Sequence, residues 1–331
     1  MQCGDWVVGK WTGEPFQVER PLGTGANGEV YLVRTRRGLA AVKVCSNASD
    51  IALEWAVLER LHRVSGTFPK PMWIDDHGPS AFFYVMEWIR GTPLSQAAAR
   101  LTGDAAAAVV RGIAEGLAEL HAAGYAFCDL KPDNIVIAGD PPHVRFVDAG
   151  GVTPFGRSVR QFTPYYDRAF WGLGTRRAEP SYDVTALALV VVICLGGLTP
   201  PASLAGQTPA QRQAWLRRGI RRWPEGVRHL LEQALAGGMD ERQFAAAWCR
   251  QAAALPVRPG PRVSPAPLHQ SASRRRPAVA GASASMNAAG PGPVAKRKGG
   301  RDWTEWLMWI SLIGALTSTA WAWLTFLGWV P

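Results

Sequence analysis

The stretch "YAFCDLKPDNIVI" (Tyr125–Ile137) carries a carboxylate, an ammonium and a carboxamide within the six residues Asp129 to Asn134. Pro132 interrupts them, so the polar groups lie on a turn between two apolar runs. Eleven residues beyond Ile137, "VRFVDAGG" places Asp148 at the end of a second apolar run, before two glycines. An ordinary Asp-Pro-Asn turn would account for any one of these residues. It does not account for their order, nor for what lies upstream.

Working outward, "LGTGANGEV" (Leu22–Val30) spaces Gly23, Gly25 and Gly28 as G-x-G-x-x-G between the strand-like runs "FQVERP" and "VYLVRT". That context predicts a hairpin whose backbone amides approach phosphate oxygens, not the strand-to-helix turn of a dinucleotide fold. "AAVKV" then sets Lys43 in a strand among apolar neighbours, where an ammonium needs an anionic partner. "ALEWAVLERL" reads as an amphipathic helix with Leu53, Val57, Leu58 and Leu61 on its apolar face. Glu54 is the candidate partner of Lys43, and Glu59, nearly opposite the stripe, is the rival. "AFFYVMEWIRGTPL" reads as a buried strand followed by a turn.

The formal charge of +10 is unevenly placed: residues 251–302 hold nine basic side chains against Asp302 alone. That stretch is rich in Pro, Ala, Gly and Ser with almost no large apolar residue, the composition of a disordered linker. Five separated cysteines, without a C-x-x-C pair, argue against a disulfide framework or zinc site and for a reducing compartment. No apolar stretch with a basic lead opens the chain, so no secretory signal is expected. Residues 303–330, by contrast, carry no charge from Trp306 to Val330 and would span about 37 Å as a helix, against about 30 Å of hydrocarbon. Trp303, Trp306 and Trp309 sit near one end, Trp321, Trp323 and Trp329 toward the other, as rings at two membrane interfaces would. A buried core helix is the alternative, but such helices are seldom this long and apolar all round.

Together, Gly23, Gly25, Gly28, Lys43, Glu54, Asp129, Lys131, Asn134 and Asp148 resemble the eukaryotic-like (Hanks-type) Ser/Thr protein kinases of bacteria. The resemblance implies an α+β bilobal fold over residues 1–250, with a β-rich N-lobe (about 14–90) and a helical C-lobe (about 91–250). It implies ATP as phosphoryl donor, with Mg²⁺ (or Mn²⁺) held by Asn134 and Asp148. Asp129 would orient the attacking hydroxyl and Lys131 would neutralise the moving phosphoryl group. Leu22, Val30, Ala41 and Met86 would enclose the adenine, and the backbone of Glu87 and Ile89 would bond it. In "GTRRAEPSYDVTALALVVV", Thr175 is expected to brace the catalytic Asp and Lys. Glu179 is expected to pair with a later arginine, Arg242 being the candidate, and Asp183 to lie under the catalytic loop. Thr153, Ser158 and Thr163 are candidate autophosphorylation sites.

Three departures stand out. Phe127 and Cys128 replace the usual His-Arg, removing the arginine that reads a phosphate on the activation loop, while Phe127 can keep the packing. Ala149 replaces a bulky Phe. The short Glu179–Asp183 spacing, and the few residues after "GGLTPP", imply a trimmed C-lobe. The likeness extends to membrane-anchored kinases of spore-forming bacteria, which implies a role in sporulation. The expected topology is a single-pass tail anchor in the cell membrane, with the kinase domain cytoplasmic and the C-terminus outside. Arg274, Arg275 and Arg276, with Lys296, Arg297 and Lys298, would meet anionic lipid or DNA phosphates, or serve as spacer and topology signal. DNA would gather copies for trans-autophosphorylation. A silent scaffold tethering DNA to membrane, and a small-molecule kinase of the aminoglycoside type, are the competing functions.

Overall fold

The computed structural model describes residues 1–25, 28–78 and 81–252. The linker cations and the apolar 303–330 segment lie outside them. Among the described residues, no helix is long and apolar enough to cross a membrane.

The N-terminal lobe is a curled six-stranded sheet in the order β1 (Trp6–Val8), β2 (Pro15–Gly25), β3 (Gly28–Thr35), β4 (Gly38–Cys45), β6 (Ala81–Glu87), β5 (Pro71–His77). Every pairing is antiparallel. The period-two alternation of β4 divides its side chains between two cores. Ala40 and Val42 pack with Phe16, Phe83 and Val85 on one side. Ala41, Tyr84 and Met86 face the core shared with the second lobe.

Helix α1 (Ala48–Val64) follows β4 after only two residues, its N-terminus capped by the Asn47 side chain. Its buried stripe is Ile51, Glu54, Leu58 and Leu61, at helical spacing. Leu53, expected on the apolar face, is exposed instead. At 100° per residue it lies nearly opposite Ile51 and Leu58, and the sheet covers only one side of the helix.

The second lobe opens with β7 (Gly91–Pro93) and a single turn, α2 (Leu94–Ala97), then α3 (Gly103–Ala122), capped by Thr102. Short strands follow: β8 (Tyr125–Ala126), β9 (Ile135–Ala138), β10 (His143–Phe146) and β11 (Thr153–Pro154). The central helix α4 (Pro180–Leu189) starts on a proline and continues as a π-helical turn, Val190–Leu195. It is buried all round, from Tyr182 to Leu189, which suits its mostly apolar sequence; the two polar exceptions, Asp183 and Thr185, are hydrogen-bonded. Helices α5 (Pro209–Ile220), α6 (Glu225–Leu235) and α7 (Glu241–Ala252) complete the lobe.

Candidate active site

The glycine stretch is the expected hairpin: Gly23 pairs Val30, Thr24 pairs Glu29 and Gly25 pairs Gly28. Gly28 has φ +135°, and a Cβ there would lie 2.1 Å from the Val44 carbonyl oxygen, so the β3–β4 approach excludes any other residue. Leu22 is exposed beside the hairpin.

On β4, Lys43 faces the cleft beside Ala41, opposite Tyr84 and Met86 of β6. It is 4% exposed, and its Nζ lies 2.6 Å from Glu54 Oε2 and 3.2 Å from Asp148 Oδ1. Burial alone would lower the ammonium's pKa, but the Asp148 and Glu54 carboxylates more than offset it and raise it, so Lys43 stays charged. The Tyr84 hydroxyl donates to Glu54 Oε2 at 3.2 Å. Glu54, not Glu59, is therefore the helix partner, and α1 is drawn to the sheet by a buried ion pair.

At the end of β6, the Glu87 amide donates to the Lys70 carbonyl and its carboxylate accepts from Arg145 at 2.8 Å. These bonds fix the segment between the lobes. Met86 and Ile89 are buried along it.

Between β8 and β9 the backbone bends sharply, with Cys128 at φ +66° and its side chain buried. For a residue with a Cβ this conformation is strained. It is held by Asp183 of α4, whose Oδ2 accepts from the Phe127 amide at 2.6 Å and Oδ1 from the Cys128 amide at 2.8 Å. Burial pushes the Cys128 thiol well above its ordinary range, so it is neutral and cannot read a phosphate. Phe127 packs on Phe146 and Phe68, ring centroids 4.8 and 6.0 Å away.

Asp129 emerges from this bend and is 6% exposed. Lys131 Nζ lies 2.7 Å from its Oδ2, and the Asn134 side chain donates to its carbonyl at 2.9 Å. The Val147 amide donates to the Asn134 carbonyl at 3.1 Å, which sets Asp148 beside Asn134. Asp148 Oδ1 also accepts from Gly150 at 2.9 Å. Burial would raise its pKa, but Lys43 and the Gly150 amide outweigh that and lower it, keeping the carboxylate ionised. Asp148 Oδ2 and Asn134 Oδ1 have no protein partner among the described residues. Two hard oxygen donors, one anionic, suit Mg²⁺, which completes its shell with phosphate and water oxygens. The following Gly151 passes so close that a Cβ would lie 2.9 Å from that of Asp129.

Two expectations are corrected. The brace on the catalytic carboxylate is Thr163, whose hydroxyl donates to Asp129 Oδ1 at 2.8 Å. Thr175 is exposed, and its carbonyl accepts from Arg168 Nε at 2.7 Å. The sequence signal is "FTPYY", a Thr-Pro entering residues 163–182, the docking segment that the resemblance assigns to protein substrates. Glu179 pairs with Arg168 at 2.7 Å, not with Arg242 of α7. Arg168 also donates to Ser181, and its neighbour Asp167, fully buried, accepts from Arg176 and Tyr182. The segment 163–182 is thus closed by ion pairs within itself, as a trimmed lobe requires. Of the candidate acceptor hydroxyls, Thr153 is buried and bonded to the Gly151 carbonyl, while Ser158 is exposed.

Sequence reasoning also missed His121. Its Nε2 lies 2.9 Å from Asp183 Oδ2 and its Nδ1 2.9 Å from Glu241 Oε2 of α7. Burial alone would lower its pKa; the two carboxylates raise it to about 9, making it a buried cation that ties α7 to the support of the catalytic loop. No local pattern marks it, because its partners lie 62 and 120 residues away.

A Gly hairpin, a buried Lys–Glu pair, a supported catalytic turn and an Asp beside Asn134 define a phosphoryl-transfer cleft between two lobes. The protein kinase domain family model matches residues 16–214, and the chain belongs to that family. It is 37% identical over 199 residues to the serine/threonine-protein kinase YabT of Bacillus subtilis (strain 168), a match covering 58% of this chain and 59% of that protein. It is 31% identical over 216 residues to PkaB of Streptomyces coelicolor, covering 57% of this chain and 50% of PkaB. The matches thus span little more than half the length of these curated relatives. The crystal structure of a double mutant of the Mycobacterium tuberculosis PknI kinase domain shares the fold. Its TM-score is 0.56 at 22% identity, covering 76% of this chain and 99% of that one.

Proposed function

We propose that this protein is a serine/threonine protein kinase that transfers the γ-phosphoryl group of ATP to protein hydroxyls, its own included. The observation that carries this reading is the position of Lys43, which reaches Glu54 on α1 and Asp148 from the other lobe at once. That geometry sets a cation where the phosphates of a nucleotide under the glycine hairpin would lie. Asp129 would accept a hydrogen bond from the substrate hydroxyl and orient it, Lys131 would offset charge on the phosphoryl group, and Asn134 and Asp148 would hold the metal. Bound Mg²⁺ supplies neutralisation of the phosphate oxygens; Mn²⁺ would fill the same role.

Control differs from the family's usual mode. With a buried, neutral Cys128 in place of the loop-reading arginine, and a docking segment closed by Arg168–Glu179 and Asp167–Arg176, catalysis does not wait for a phosphate on the activation loop. Silent-scaffold and small-molecule readings are disfavoured by the complete set of catalytic side chains and by a docking segment built for polypeptide. Incorporation of labelled phosphate into the protein and a generic protein substrate, lost in Lys43→Ala and Asp129→Asn, tests the assignment; no incorporation by wild type would remove it.

The apolar 303–330 segment supports a membrane-spanning anchor with the kinase domain on the cytoplasmic side. Fractionation with and without those residues tests it. Two properties support DNA-promoted self-association and trans-autophosphorylation through the linker arginines: their charge, and the absence of a loop-reading arginine. Activity insensitive to duplex DNA, or stimulation indifferent to salt, would remove that part. A role in sporulation rests on the resemblance and is tested by sporulation efficiency of a Lys43→Ala strain.

A further inference from the structure

The geometry points to α5 as a docking surface for acidic segments of protein substrates, an inference that rests on the protein kinase reading and narrows its substrate class. Leu216, Gly219 and Ile220 bury one side of this helix. Arg217 and Arg218, with Arg221 and Arg222 just past its end, are exposed on the other. Spacings of four residues make 217/221 and 218/222 surface neighbours. The helix contains no acidic residue, and among the described residues none of the four guanidinium groups has an ion-pair or hydrogen-bond partner. Glu225, exposed at the start of α6, sets one negative charge against four. Some exposed arginines elsewhere find acids, as Arg34 finds Glu19 and Arg176 finds Asp167, and others stand singly; here four are adjacent. Four adjacent like charges without one repel each other, and an external anion relieves that repulsion. A groove of about 290 Å³ between α5 and residues 197–199 is lined by Trp215, Arg218, Arg222, Leu198 and Thr199. Two planar guanidinium forks flanking an aromatic body suit carboxylates.

Placement selects an acidic polypeptide over other polyanions. Gln213 donates to the Trp171 carbonyl at 3.0 Å, Arg212 donates to the Phe170 carbonyl, and Trp215 stacks on Trp171 at 5.8 Å. These contacts fasten α5 to the docking segment. Phe170 is seven residues from Thr163, which touches Asp129, so at full extension the two are at most about 25 Å apart. A protein whose hydroxyl sits at Asp129 therefore reaches the Arg212 end of α5 with roughly eight further extended residues, and the arginines 217–222, up to about 15 Å further along, with roughly four more. The acids of the docking segment, Asp167 and Glu179, are consumed by Arg176 and Arg168, while Arg177 on it and Arg157 and Arg160 just before it are exposed. The docking segment therefore has no unpaired acid of its own, and Asp133, exposed beside Tyr166, is the acid that neighbours it. A DNA duplex or lipid surface would have no use for the proximity of α5 to Asp129.

The test uses the full-length protein and three peptides sharing one Ser/Thr core, extended through an uncharged spacer of about ten residues to a run of Glu, Gln or Lys. At low salt the Glu peptide is expected to show a KM at least about tenfold below the Gln peptide, the difference shrinking near 0.5 M salt as screening shortens to a few ångströms. R217Q/R218Q/R221Q/R222Q brings the Glu-to-Gln KM ratio toward one, while R274Q/R275Q/R276Q in the linker leaves it. If the quadruple variant fails to fold, R217Q/R221Q is expected to give an intermediate ratio. Absence of a Glu preference in the wild type, or a preference that survives the α5 substitutions, overturns the inference. So does an α5 variant that loses binding to duplex DNA or phosphatidylglycerol vesicles but keeps the peptide ratio. Phosphorylation of the Gln peptide, lost in Lys43→Ala, reports on the kinase reading separately.

Discussion

The Thr163 hydroxyl donates to Oδ1 of Asp129 at 2.8 Å, so the segment proposed to receive the substrate also sets the orientation of the proposed catalytic carboxylate. Lys131 holds the other oxygen at 2.7 Å. Thr163→Val keeps the shape and removes the donor, and kcat is expected to fall about ten- to hundredfold, the size of effect that misplacing a catalytic group by an ångström produces. Thr163→Ser should retain most of the rate. Steady-state kinetics on both variants decide it; a Val variant with wild-type kcat would show that Lys131 alone positions the carboxylate.

Asp148 should couple nucleotide binding to metal. Wild-type protein is expected to gain thermal stability from ATP with Mg²⁺, by about 2.7 kcal/mol at a hundredfold excess over Kd, and much less from ATP with EDTA. Asp148→Asn should lose the metal-dependent part, because its Oδ2, without a protein partner among the described residues, is the oxygen that would ligate the metal. Equal shifts with and without EDTA in the wild type would count against a metal at this position.

The His121 cation gives stability a defined pH dependence. Its pKa in the folded protein is about 9, above the ordinary 6.5, because Asp183 and Glu241 flank it. The folded state therefore holds this proton more tightly than the unfolded chain. The resulting stabilisation is fully present below about pH 6.5 and is lost as pH rises through about 9, on the order of 3 kcal/mol in all. Denaturation midpoints should fall over that window in the wild type and change less in His121→Gln. A flat wild-type profile would mean that the imidazole is neutral in the fold.

Arg168 and Glu179 should be energetically coupled, and Arg242 should not be. A double-mutant cycle with Arg168→Ala and Glu179→Ala is expected to give an interaction energy of at least about 1 kcal/mol, with kcat/KM for peptide falling in both single variants. Arg242→Ala with Glu179→Ala should be additive. The reverse result would return the ion pair to α7.

The catalytic core was legible because each of its groups is marked locally. G-x-G-x-x-G lies between strand-like runs, Lys43 interrupts an apolar strand, and Asp129, Lys131 and Asn134 share one turn. The helix partner needed more: Glu54 was identified, but Leu53 was placed on the wrong face, since only the sheet decides which side of α1 is covered. Thr175 is the brace that the resemblance implies, while Thr163 reads in the sequence only as a candidate acceptor. In the fold it is Thr163, sixteen residues before Glu179, that touches Asp129.

From the sequence alone came the reaction centre, the two-lobed architecture and the division into folded, basic and apolar stretches. All are written in local spacing and composition, because backbone periodicity and turn chemistry act over a few residues. Only the folded chain decided that Arg168 and not Arg242 meets Glu179, that His121 joins two carboxylates, and that the four arginines at the end of α5 stand without partners among the described residues. Such contacts join residues far apart along the chain. Which ones form depends on how the helices pack, and no single segment encodes that.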